Sequence, residues 1–169
     1  MEEEILSSPG WIYVCADIAR FGWSKVGQSA AKLVGRRVGS QTANAGYLLI
    51  VAFKVPPGEA FAIEQRIHRK LPRREVHRTT GEDSEWFNLA PWEAVNLMKA
   101  ELVNCLGSYY DEDGNNTLSQ IAHIAPLTPH RLMSLAARSS HPRETDYYVA
   151  CVNGVRRELR LPELRLDYM

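Results

Sequence analysis

The sequence predicts a mixed α/β chain of the α+β kind, with strands and helices interleaved over residues 1–106 and a second, mostly helical unit over 117–169. Three observations predict it. Apolar β-rich runs such as "YLLIVAFKV" (47–55) stop at turn residues, here "PPG". Stretches with apolar residues at helical spacing alternate with those runs. The acidic "GSYYDEDGNN" (107–116) separates the two patterns and reads as a linker. A chain of 169 residues with 45% hydrophobic and 24% charged side chains is globular in composition and sized for one ordinary domain or two small ones.

Element by element, "WIYVCA" (11–16) and "WSKVG" (23–27) read as two strands joined through Gly22, an antiparallel pair by their short connection. Ser29 can cap a helix running to about Val38. Residues 47–55 form the next strand, and 59–71, with Ile63, Ile67 and Leu71 on one stripe, the next helix. "EWFNL" (85–89) is a short last strand. Pro91 then opens a helix through Trp92, Val95, Met98 and Leu102.

In the second unit, "TLSQIAHIA" (117–125) reads as a short helix and "PLT" as a turn. Thr128 caps a helix from Pro129 to Arg138. Asn153-Gly154 within "YYVACVNGVRRELRL" (147–161) signals a hairpin, and "PELRLDY" (162–168) a closing helix. Helix, turn, helix, hairpin, helix is the layout of a small winged helix-turn-helix domain.

Charge balances at 20 basic and 20 acidic residues, so net charge points to no partner. Its distribution is uneven: acid gathers at Glu2, Glu3 and Glu4 and at Asp111, Glu112 and Asp113, leaving Arg-rich patches elsewhere. Cys15, Cys105 and Cys151 are scattered, with neither a zinc spacing nor an even disulfide set. The longest apolar run is too short for a bilayer, and the N-terminus is acidic where a signal peptide is basic. A cytoplasmic protein without a membrane partner is the expectation.

The chemistry-bearing residues come in a fixed order: Gly10-Trp11-Ile12-Tyr13, Lys25-Val26-Gly27-Gln28-Ser29, Arg36, Gln41-Thr42-Ala43-Asn44, Glu64-x-x-x-His68, and Glu85-Trp86-Phe87. This series, over residues 10 to about 90, resembles the GIY-YIG nuclease superfamily. It is most similar to the phage and bacterial branch in which a KIG-type triplet replaces YIG. Trp11 stands where the first motif has glycine, and Lys25 where the second has tyrosine. The resemblance implies a small central antiparallel sheet flanked by helices, and metal-dependent phosphodiester cleavage. It implies Tyr13, Lys25, Arg36, Glu64 and His68 as the catalytic set, with Glu64 the metal ligand. Asn88 and Asn96 are the candidates for the superfamily's late asparagine.

Those roles are physically coherent. One carboxylate suffices for Mg²⁺ or Mn²⁺, because Mg²⁺ keeps most of its waters and takes further oxygens from phosphate. Tyr13 could deprotonate water only if its pKa fell well below about 10, and Lys25 and Arg36 are the cations expected to lower it. Arg36 can fork onto two phosphate oxygens. His68 can relay a proton or orient a neighbour. Singly, each has an ordinary reading: a core tyrosine, a solvated lysine, a helix-surface Glu/His pair.

Arg73 and Arg74, in the basic loop after the Glu64 helix, are candidate backbone contacts. The second unit resembles excisionase and MerR-type winged helix-turn-helix domains. By that resemblance Thr128, His130, Arg131 and Ser134 face base edges, and Arg156 and Arg157 lie on the wing. The sequence therefore points to a metal-dependent DNA endonuclease with a C-terminal DNA-binding module. The alternative is a non-catalytic DNA-binding regulator or phage-type interaction protein on the same scaffold. RNA as the target and a second copy of the chain as partner stay open.

Overall fold

Three apolar strands, β1 (Gly10–Asp17), β2 (Ser24–Ser29) and β3 (Tyr47–Val55), form the centre of the sheet. β4 (Arg74–Val76), β5 (Asp83–Phe87) and β6 (Ala122–Ile124) complete it in the order β4-β5-β2-β1-β3-β6. Every neighbouring pair is antiparallel. The computed structural model describes residues 9–29, 47–72, 74–76, 80–106 and 118–165. The expected linker 107–116 and the helix expected after Ser29 lie outside them. Ser29 itself is the last residue of β2.

Five described helices pack around this sheet: α1 (Ala60–Lys70), α2 (Pro91–Leu106), α3 (Leu118–Ile121), α4 (Pro129–Arg138) and α5 (Pro142–Glu158). Strand side chains alternate between faces. Ile12, Val14 and Ala16 of β1 therefore join Val26, Ile50 and Phe53 on one face, under α1, α2 and α5. That face is the main core, and it runs without a break into the second unit through Leu118, Leu132, Tyr148 and Val152. Ion pairs lace the helices together: Lys70 to Glu101 at 2.8 Å joins α1 to α2, and Lys99 to Glu158 at 2.9 Å joins α2 to α5. The mixed α/β class and the antiparallel sheet with flanking helices agree with the sequence.

Several elements differ. Residues 147–161 form no hairpin; 147–158 lie inside α5. Tyr148, Cys151, Val152, Val155 and Leu159 are buried at helical spacing. Gly154 serves close packing: a Cβ there would stand 3.0 Å from three Trp92 side-chain atoms of α2. Asn153 turns its amide to the tail, donating to Leu164 O at 3.1 Å and accepting from Leu164 N at 2.9 Å. Without the hairpin there is no wing in this stretch, so the winged helix-turn-helix layout is not formed as expected. Residues 162–165 carry no helix. The expected helix 117–125 shrinks to the single turn α3, after which Ala122–Ile124 pair with β3 as β6. β4, read as loop, pairs with β5. By contrast, α4 keeps its expected bounds, with Thr128 Oγ1 accepting from Arg131 N at 3.2 Å and Pro129 in the first turn.

Candidate active site and nucleic-acid surface

The face of the sheet opposite the main core carries polar and aromatic groups, Tyr13 among them. Trp11, Tyr13 and Cys15 alternate with the core residues of β1. The register sets Tyr13 beside Gly27 of β2 and Ala52 of β3, Cys15 beside Lys25, and Lys25 beside Trp86. Tyr13, Cys15, Tyr47 and Ala52 form a second, small buried cluster edged by Trp11, Leu49 and Trp86.

Gly27 is fixed by Tyr13. A Cβ at position 27 would lie 2.5 Å from the Tyr13 hydroxyl and 2.6 Å from Cζ, so the ring crosses directly over the glycine. The Gly of the "KVG" triplet thus makes room for the tyrosine of "GWIY".

Glu64 and His68 reach the same strand from α1. The β2–β5 ladder is described only for Ser24 and Lys25. One residue on, His68 Nε2 donates to the Val26 carbonyl at 2.7 Å. Because the carbonyl only accepts, Nε2 carries a proton. The ring also sits 5.1 Å from that of Phe87. Glu64 lies one turn earlier, Oε1 3.7 Å from His68 Nε2, and the two side chains are 4% and 3% exposed. A buried carboxylate is costly unless compensated, so its place here is a built feature of the helix.

The electrostatics correct one expectation. Burial pushes the Tyr13 phenol above its ordinary value, and the Glu85 carboxylate, Cys15 and Glu64 push the same way. None of these influences lowers it, so Tyr13 is a protonated phenol at neutral pH. Lys25, expected as a cation acting on Tyr13, instead pairs with Glu85 at 3.4 Å and lies 5.6 Å over the Tyr47 ring. Burial likewise raises Tyr47, and raises Cys15 to about 12 against weaker opposing pulls from Tyr47 and Lys25.

Tyr13 and Lys25 therefore lie on the face of β1 and β2 away from the main core, whereas Glu64 and His68 reach β2 from α1 on the core side; Glu64 is close enough to act electrostatically on the Tyr13 phenol. Arg36 and Arg73 lie outside the described residues. Arg74 enters β4 by its backbone, and its side chain also lies outside them. Among the described residues no group of three His, Cys, Asp or Glu is placed to hold a metal. Glu85, Tyr47 and Trp86 also border the site; the alternation of Trp11, Tyr13 and Cys15 with aliphatic residues was the signal that marks this face.

In the second unit, Thr128, His130, Arg131 and Ser134 do converge, lining a cavity of about 440 Å³ with Arg138 and Tyr148. Arg156 and Arg157 are not on a wing. They occupy the last turn of α5 and hold the tail: Arg156 Nε donates to Pro162 O at 2.7 Å, and Arg157 pairs with Glu163. No described helix is long and apolar enough to cross a membrane.

No curated protein and no solved structure matches the chain. Residues 10–106, more than half of it, match the T5orf172 domain, which occurs in phage and bacterial nuclease-like proteins. The match spans β1 through α2 and so takes in Tyr13, Lys25, Glu64 and His68. The chain belongs to the T5orf172 domain family.

Proposed function

We propose that this protein is a metal-dependent DNA endonuclease, hydrolysing phosphodiester bonds at the Tyr13–Lys25–Glu64 cluster of a GIY-YIG-type scaffold. The observation that carries the reading is the buried Glu64 carboxylate, held by α1 against β2, where His68 of the same helix bonds to Val26, and near enough to Tyr13 to act on its phenol. Its donor chemistry fits a hard divalent cation, since Mg²⁺ is commonly held by one or two carboxylates and keeps several waters. Mg²⁺ or Mn²⁺ on Glu64 would supply charge neutralisation at the phosphoryl oxygens and acidify water.

The chain's own residues do the rest. Tyr13, kept protonated, donates its hydroxyl to a phosphoryl oxygen or holds the attacking water in line. Lys25 brings positive charge to the same face. Its pairing with Glu85 is partly exposed and so weakly held, which lets a phosphate oxygen replace the carboxylate. His68 is a positioning residue: its bond to Val26 O fixes α1, and with it Glu64, against β2.

Supercoiled plasmid incubated with Mg²⁺ or Mn²⁺ should be nicked. Glu64→Gln, which keeps the shape, should slow nicking by about a hundredfold or more while leaving the thermal midpoint of the metal-free protein close to the parent's. Equal rates for the two proteins would sink the nuclease reading. Single-stranded DNA and RNA run alongside define the substrate class.

The raised Tyr13 supports a second reading, in which the same scaffold binds DNA as a regulator or interaction protein and cuts nothing. Plasmid binding with no metal-dependent nicking selects it.

A further inference from the structure

Trp11 occupies the glycine position of the first motif, and none of the roles above uses it. It lies two residues before Tyr13 on β1, on the same face and about 7 Å along the strand. Its neighbour across β3 is Lys54, which is exposed. Its ring meets His123 of β6 edge-on, with centroids 6.3 Å apart and planes at 75°. His123 is itself exposed and pairs with Ala52, the residue that also pairs with Tyr13. Trp11, Lys54 and His123 line a cavity of about 530 Å³ with Pro56, Pro57 and Gln120. That size lies within the usual range of small-ligand pockets, about 300–1,000 Å³. A partly exposed indole, an imidazole and an ammonium around one hollow are the groups that take an aromatic ring carrying a phosphate. Every nucleobase offers a π-face, and its backbone offers the anion.

We propose that this hollow is a stacking subsite for one unpaired nucleotide, so that the protein engages single-stranded DNA running along β1 from Trp11 to Tyr13. The inference rests on reading the Tyr13 cluster as a nucleic-acid site, and it adds the strandedness of the substrate. Trp11 stacks the base, His123 closes the edge of the hollow, and Lys54 meets the phosphate. In a paired duplex the base is buried in its own stack and cannot enter.

The test reads binding without cleavage, so it stands or falls separately from the nuclease reading. A short fluorescein-labelled oligo-dT is titrated with the full chain carrying Glu64→Gln, in EDTA, and followed by anisotropy. Adding Trp11→Leu should weaken binding about tenfold, and adding Trp11→Phe should restore most of it. An abasic strand of equal length should bind the parent about tenfold more weakly than oligo-dT does. Binding of a blunt duplex should not change on Trp11→Leu. Lys54→Ala should lower the salt dependence of oligo-dT binding. Equal thermal midpoints confirm that the Trp11 variants are folded. Oligo-dT binding unchanged in a folded Trp11→Leu protein, or an abasic strand bound as tightly as oligo-dT, overturns the proposal. So does equal weakening of duplex and single strand.

Discussion

The two faces of the sheet are made by the same strands and do opposite work. On one, Ile12, Val14, Val26, Ile50 and Phe53 meet the helices in a closed apolar core. On the other, Trp11, Tyr13, Cys15, Lys25 and Tyr47 form a thin layer of rings and polar atoms, with Trp86 at its margin. The alternation of β1 is therefore a division at single-residue resolution: even positions pack the core, and odd positions carry the ring, thiol and phenol groups of the other face. The lesson is that burial alone does not mark core here. Tyr13 and Cys15 are buried like their neighbours, yet each carries a titratable group, which burial above all holds protonated.

Truncating the closed face should do the most harm. Phe53→Ala removes a fully buried ring and should cost about 3–5 kcal/mol in urea unfolding. A loss below about 1 kcal/mol would mean that this face is less tightly packed than described. Gly27→Ala attacks the other face through the Tyr13 ring. It should destabilise by about 1–3 kcal/mol, and Tyr13→Ala in the same chain should recover part of that loss in a double-mutant cycle. Strict additivity of the two changes would break the link between the two motifs. The smallest effect is a pH slope. Cys15, Tyr13 and Tyr47 all have folded pKa values above their unfolded ones, so the folded state keeps protons that the unfolded chain releases. Their stabilisation is complete below the unfolded thiol value of about 8.5 and is lost as pH rises past it and past about 10. Tyr147 and Cys151 add the same sign from the helical side. Urea midpoints should fall from pH 8 towards strongly alkaline pH, and Tyr47→Phe should flatten the fall. An unchanged slope in that variant would show that Tyr47 titrates normally.

Much of the fold was legible because it rests on local signals. β3 is a long apolar run between turn residues, α1 shows a helical stripe, and α4 announces itself by Thr128 and Pro129. What misled was chemistry with two uses. Asn153-Gly154 suits a tight turn, yet in α5 the glycine admits Trp92 and the asparagine ties down the tail. The spacing of Tyr148, Cys151, Val152 and Val155 is the competing signal, and it wins because it buries a whole helical face. β4 and β6 were invisible for a different reason. Each is three residues long, too short to show an alternation, and β6 moreover exists by pairing with β3, far along the chain, which no local window reveals. At the candidate site, the sequence put Glu64 one turn from His68, and α1 shows that. It could not reveal that His68 spends its Nε2 proton on Val26, nor that burial raises Tyr13, because both depend on contacts across the sheet.

The short strand β6 has a consequence for where this protein can be divided. The T5orf172 match ends at residue 106, but the sheet takes its final strand from Ala122–Ile124, and Ala125 N adds a further bond to Ile50 O at 2.8 Å. A chain cut at 106 would leave one margin of β3 with exposed amides and carbonyls facing solvent, an open template for strand exchange between copies. The region beyond the family domain thus acts as its selvedge: it finishes the weave, and it brings His123 into place beside Trp11 in the same stitch.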